Sequence, residues 1–91
     1  METVHLLISG KVQGVFFRQT ATRMAHTLNI AGWIKNITDG KVEAVVTGNN
    51  DDVKKFIAWC KTGPEKADVT DVNVSNQPET FFEKFEVIRR K

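Results

Sequence analysis

Gly10-Lys11-Val12-Gln13-Gly14-Val15-Phe16-Phe17-Arg18 stands between two different hydrophobic periods. Before it, Val4, Leu6 and Ile8 alternate with more polar neighbours across residues 3 to 9, the two-residue repeat of a strand, with His5 and Leu7 on the opposite face. After it, Ala21, Met24, Ala25 and Leu28 recur at helical spacing, so a helix is predicted from Arg18 to Asn29. The stretch is therefore a strand-to-helix turn. Its glycines, Gly10 and Gly14, let the backbone take dihedrals that bring N–H groups together, and the helix adds its own unpaired N–H groups and positive dipole end. Arg18 sharpens the reading, because a cation at a helix N-terminus is disfavoured by roughly 0.3 to 1 kcal/mol and its presence points to an anion between the two. Phosphate fits that gap: the planar guanidinium forks onto two of its oxygens while the backbone takes the others.

Working outward, residues 30–37 and 41–47 read as two strands joined by Asp39-Gly40, a dipeptide suited to the positive φ angles of a type I′ hairpin turn. Val42, Ala44 and Val46 share one face of the latter strand, with Lys41, Glu43, Val45 and Thr47 on the other. A second helix is expected after Gly48, capped by Asn49 or Asn50, with Asp51 and Asp52 in its first turn and Val53, Phe56, Ile57 and Cys60 as its buried stripe. Lys61, Gly63 and Pro64 supply a basic last turn, a glycine stop and a proline breaker. Val69, Val72 and Val74 mark a fourth strand, Asn76-Gln77-Pro78 a turn, and Phe81, Phe85 and Val87 the inward side of a last strand. This order predicts an α+β split-βαβ sandwich, βαββαβ, with two helices on one face of a mainly antiparallel sheet of four to five strands.

A single domain over residues 1–91 is expected, since a chain of 91 residues fills one two-layer core but not a second. A formal charge of only +2 argues against a nucleic-acid binder that relies on phosphate attraction, and suits a small anionic ligand. The single cysteine cannot close an internal disulfide, and no signal peptide or long apolar run is visible, so a reducing, soluble compartment is expected, the cytoplasm by default. Cys60 reads as core packing. A cysteine-type phosphatase nucleophile needs an anion loop and an arginine a few residues downstream, and Lys61 to Lys66 supply neither. His5 and His26 lack second ligands at useful spacing and read as structural and solvated, and Arg89-Arg90-Lys91 as a solvated basic end.

Taken together, the 10–18 stretch, Gly32-Trp33-Ile34-Lys35-Asn36, Gly40-Lys41-Val42, Gly48 and the closing Phe85-Glu86-Val87 resemble the acylphosphatase family over essentially the whole chain. The resemblance implies a ferredoxin-like sandwich and metal-independent hydrolysis of acyl phosphates to a carboxylate and inorganic phosphate, with no cofactor. It assigns phosphate binding to Arg18 and to the backbone of Gln13, Gly14, Val15, Phe16, Phe17 and Arg18, and assigns the attacking water to Asn36. Ile34 stands where the family usually has Val or Ala, and Ile37 where some members carry a threonine, which removes a supporting hydroxyl near Asn36. The expected partner is a small acyl phosphate, with no nucleic acid and no membrane, and the chain is expected to be a monomer.

Such chemistry needs few groups. A carboxylate leaves as the base of an acid with a pKa of about 4, so no general acid has to protonate it. Phosphoryl transfer through a loose transition state then asks mainly for positioning and charge stabilisation. Three other classes share parts of the pattern. An RNA-recognition sandwich would carry its stacking aromatics on the third strand, yet Lys41 to Thr47 contains none. A regulatory anion sensor would have no use for a water-orienting amide at Asn36. A Walker-type nucleotide loop fails on the missing Gly-Lys-Ser/Thr ending after Gly14.

Overall fold

The computed structural model describes residues 1–89. Its elements run β1 (Glu2–Lys11), α1 (Phe17–Thr27), β2 (Ala31–Asn36), a 3-10 turn (Thr38–Gly40), β3 (Val42–Gly48), α2 (Asn50–Thr62), β4 (Asp68–Gln77) and β5 (Phe85–Val87). The sheet has five strands in the order β4-β1-β3-β2-β5. β1 pairs antiparallel with β3 and β4, β2 pairs antiparallel with β3, and β5 pairs parallel with β2. It follows that β1, β2 and β5 all point the same way and end at the same edge of the sheet. This is the ferredoxin-like α+β sandwich with one added edge strand.

The core lies between the sheet and the two helices. Val4, Leu6 and Ile8 of β1 and Val42, Ala44 and Val46 of β3 meet Ala21 and Ala25 of α1 and Val53, Phe56 and Cys60 of α2, all of them buried. Alanine at two positions of the α1 stripe lets that helix lie close to the sheet, while Phe56, fully buried, contributes about 1.5 to 3 kcal/mol by leaving water. On the other face, Thr3 and Thr47 share a hydrogen bond of 2.7 Å, and the chain after β4 crosses above them, Thr80 donating its N–H to Thr3 and accepting from Thr47. His5 sits on this face too, 2.7 Å from Glu43, in the surface role expected of it.

Several boundaries differ from the pattern-based expectation. α1 begins at Phe17 and ends at Thr27, with Asn29 at φ 58° just beyond it. Asp39 and Gly40 do take positive φ, 70° and 76°, but the pairing of Asn36 with Val42 leaves residues 37–41 between the strands rather than a two-residue turn, and the Ile37 N–H to Lys41 C=O bond at 3.0 Å closes Thr38–Gly40 inside it. β4 runs on through Gln77, which pairs with Thr3, so the turn expected at Asn76-Gln77-Pro78 falls later. An irregularity opposite Ser9 and Gly10 shifts the β4 register, which puts Val69 and Val72 on the same side although they are three apart; both pack on the core. Val74 is 40% exposed. Phe81 was expected inward, but β5 spans only Phe85–Val87, and Phe81 lies before it at 84% exposure. Of the terminal basic cluster, Arg90 and Lys91 lie outside the described residues.

Candidate active site

The 10–18 stretch leaves β1 and enters α1 through residues 13–16, which bend without forming a hydrogen-bonded turn. Gly14 takes φ 73° and Phe16 takes φ 65°, ψ 23°. A left-handed conformation costs a bulky residue such as phenylalanine on the order of 1 to 3 kcal/mol, and such strain collects at functional loops. Packing holds it in place: Val12, Val15 and Phe17 are buried on either side of it, and Phe17 lies against Trp59 with ring centroids 5.2 Å apart. Phe16 itself is 68% exposed.

The two helix N-termini are treated in opposite ways. In α2 the Asn49 side chain accepts from the Asp52 N–H at 3.0 Å, and Asp51 and Asp52 complement the dipole. In α1 the cap residue is Phe16, no side chain caps the first turn, and no acidic residue lies in it. Among the described residues, none of the backbone hydrogen bonds of the loops and caps is donated by an amide of Gln13 through Arg18. The end of α1 is thus a set of donors and a positive dipole end without a protein acceptor.

Beside it lies a cavity of about 320 Å³, whose wall includes Gly14, Phe16, Phe17, Arg18, Asn36 and Arg89. The cavity brings Arg18 and Asn36 together although they are separated by a helix, because β1 and β2 run parallel and finish at the same edge. Among the described residues its wall carries two guanidinium groups and no carboxylate, imidazole or thiol. Four other surface clefts each carry a carboxylate, from Glu65, Glu83, Glu79 or Asp51. Among the described residues Arg18 has no ion-pair partner; the salt bridges described join Glu43 to His5 and Lys35.

Asn36 ends β2, half-buried, and its Oδ1 is a buried acceptor with no hydrogen-bond partner. Gln13 and Val15 do not line the cavity. Val15 points into the core, whereas the Gln13 side chain crosses to the hairpin after Asn36 and donates to the carbonyls of Ile37 and Lys41, both at 2.9 Å. That bridge supports the loop where a threonine at position 37 would have offered a hydroxyl. Arg89, read from sequence as part of a solvated end, is on the cavity wall; only the parallel pairing of β5 with β2 could have placed it there. Cys60 is fully buried and burial pushes its thiol pKa far up, so it is neither near the cavity nor a nucleophile. His5 and His26 also lie off the cavity wall.

Comparison with known proteins agrees with this fold. A family model described as Acylphosphatase matches residues 4–87. The acylphosphatase of Methylococcus capsulatus is 42% identical over 98% of this chain and 98% of its own. Among solved structures, an acylphosphatase from Coxiella burnetii superposes with a TM-score of 0.92 at 37% identity, covering 96% of this chain and 92% of that one. The acylphosphatase from Bacillus subtilis does so with a TM-score of 0.94 at 30% identity, covering 98% and 100%. With this likeness along nearly its full length, the chain belongs to the acylphosphatase family, enzymes that hydrolyse the carboxyl–phosphate bond of acyl phosphates.

Proposed function

We propose that the phosphoryl group of an acyl phosphate sits between the Arg18 guanidinium and the amides of Gln13 through Arg18, and that Asn36 orients the attacking water. The observation that carries this reading is the shared cavity: Arg18, the uncapped end of α1 and Asn36, whose Oδ1 has no hydrogen-bond partner, all lie on its wall. An amide oxygen accepts a hydrogen bond from water and so fixes where its lone pair points, yet it is far too weak a base to take the proton. A substrate phosphoryl oxygen therefore takes it. Water oxygen bonds to phosphorus, the bond from phosphorus to the carboxyl oxygen breaks with its electron pair going to the carboxylate, and the products are carboxylate and inorganic phosphate. That no carboxylate or imidazole among the described residues lines the cavity suits this, because the leaving group needs no acid. Charge spread over the phosphoryl oxygens in a loose transition state meets preorganised donors, which is the main contribution left for the protein.

The test is hydrolysis of benzoyl phosphate in EDTA, with inorganic phosphate as a competing ligand. Asn36→Ala is expected to lose turnover by about 100-fold or more while still binding phosphate, by analogy with the loss of one transition-state donor. Arg18→Ala is expected to lose both. A folded Asn36→Ala variant with full turnover would sink the role of that residue.

No helix among the described residues is long and apolar enough to cross a membrane. On the same footing as the site we infer one acylphosphatase domain, monomeric and cytoplasmic. The lone thiol suits a reducing compartment. The sheet's edges favour a monomer, since β5 has three residues and the exposed side chains of β4 include Asp68 and Asp71. A dimer in sedimentation, or a secreted form in fractionated cells, would count against these readings.

A further inference from the structure

We propose that Arg89 is a second phosphoryl-binding residue of this site, its guanidinium reaching the bound anion from the chain that follows β5. The proposal rests on the placement of phosphate given above and extends it to a residue outside the motif stretches.

Three independent features place Arg89 there. Parallel pairing sets Ile34 against Val87, and the Ile88 N–H donates to the Ile34 carbonyl at 2.9 Å, so the chain keeps step with β2 past the end of β5. Two residues further along each strand, Arg89 stands beside Asn36. Secondly, Arg89 lines the same cavity as Arg18, Gly14 and Asn36. Thirdly, among the described residues no carboxylate lines that cavity and no salt bridge occupies Arg89.

Two guanidinium groups on the wall of one small cavity repel each other, and an exposed arginine on a chain end loses rotamer freedom by staying there. A dianion between them reverses the sign of the first effect and repays the second. An acyl phosphate brings two negative charges on its phosphoryl oxygens, which is the charge two arginines neutralise. Arg18 and the amides grip those oxygens from the α1 side, and Arg89 reaches them from the β2–β5 side. Because inorganic phosphate offers the same oxygens, Arg89 contributes to product binding as well as to substrate binding. It takes no part in orienting the water.

The experiment titrates inorganic phosphate against the unaltered protein and the Arg89→Gln, Arg89→Lys and Arg18→Ala variants, and measures KM and kcat for benzoyl phosphate on the same samples. Arg89→Gln is expected to raise the phosphate dissociation constant and KM together, each about tenfold, with kcat within about twofold, and Arg89→Lys to recover most of that loss. The difference between unaltered and Arg89→Gln proteins is expected to shrink as salt is raised, since a solvent-facing charge is screened. A purely structural role would be rescued by neither lysine nor salt. If phosphate affinity is unchanged in folded Arg89→Gln, the proposal fails. It fails equally if KM rises while phosphate affinity does not, because Arg89 would then touch the acyl part. If Arg18→Ala leaves phosphate binding unchanged, the underlying placement of the anion fails instead, whatever Arg89 does.

Discussion

At the scale of single residues, the site depends on a side chain whose job is to hold backbone. Gln13 belongs to the loop proposed to hold phosphate, but its Nε2 donates both hydrogens to the carbonyls of Ile37 and Lys41. These flank the hairpin that follows Asn36, so Gln13 ties its own loop to the position of Asn36, the amide proposed to orient the water. Gln13→Glu replaces that donor by a carboxylate facing two carbonyl oxygens. The expected result is a loss of about 2 to 3 kcal/mol in unfolding free energy, read by urea titration, because two acceptors lose their partner and a charge is placed against them. Turnover on benzoyl phosphate should fall by more than the binding of phosphate does, since the hairpin carries Asn36 and not Arg18. Equal losses in both would detach Gln13 from the positioning of Asn36. None of this was legible in the sequence, where glutamine at position 13 reads as one more loop residue. Arg18 was legible, because a cation at a helix start contradicts the dipole, and that conflict is local.

At the scale of elements, what positions the chemistry is strand direction. The loop follows β1, Asn36 ends β2, and Arg89 follows β5, so three strands of common direction deliver three parts of one cavity to one edge. Period-two and helical spacing identified the five strands and two helices, and with them the crossover that makes β1 and β2 parallel. They could not identify the neighbour of β5, because a three-residue strand has too few side chains to show a period. Nor could they fix the edge of β4, where an irregularity against Ser9 and Gly10 breaks the alternation. The alignment of β2 itself hangs on Gly32, whose φ is 140° and where an added Cβ would lie 2.0 Å from the Val45 carbonyl oxygen. Gly32→Ala must therefore push β2 off β3, and its partner strand β5 with it, as Gly32 also donates to Lys84 C=O at 3.0 Å. A loss of about 3 kcal/mol or more is expected, together with loss of activity even in the fraction that stays folded. Thermal unfolding checks the first and single-turnover assays on folded protein the second. Full activity in a stable Gly32→Ala protein would show that the β2–β3 contact has slack.

At the scale of the whole molecule, the two faces of the sheet divide the work between stability and surface. The helix-covered face carries the core, and in it Cys60 keeps its proton because the thiolate would have no solvation and no cationic neighbour among the buried residues, which are apolar. In the unfolded chain the same thiol ionises with a pKa of about 8.5. Above that pH the unfolded state loses a proton that the native state retains, so the unfolded state is favoured progressively and stability falls as pH rises; below it both states are protonated and the effect vanishes. Between pH 8 and 9.5 the loss amounts to about 1 kcal/mol from this residue alone. The contribution of this one thiol is read as a difference between two proteins. Cys60→Ala lowers stability at every pH by leaving a gap among Val53, Phe56 and their neighbours, but it removes the titration. The gap in stability between the unaltered protein and Cys60→Ala should therefore narrow by about 1 kcal/mol from pH 8 to 9.5, measured by urea unfolding at each pH. Parallel curves would mean that the thiol ionises as readily inside the fold as outside it, which a position buried between α2 and the sheet does not allow.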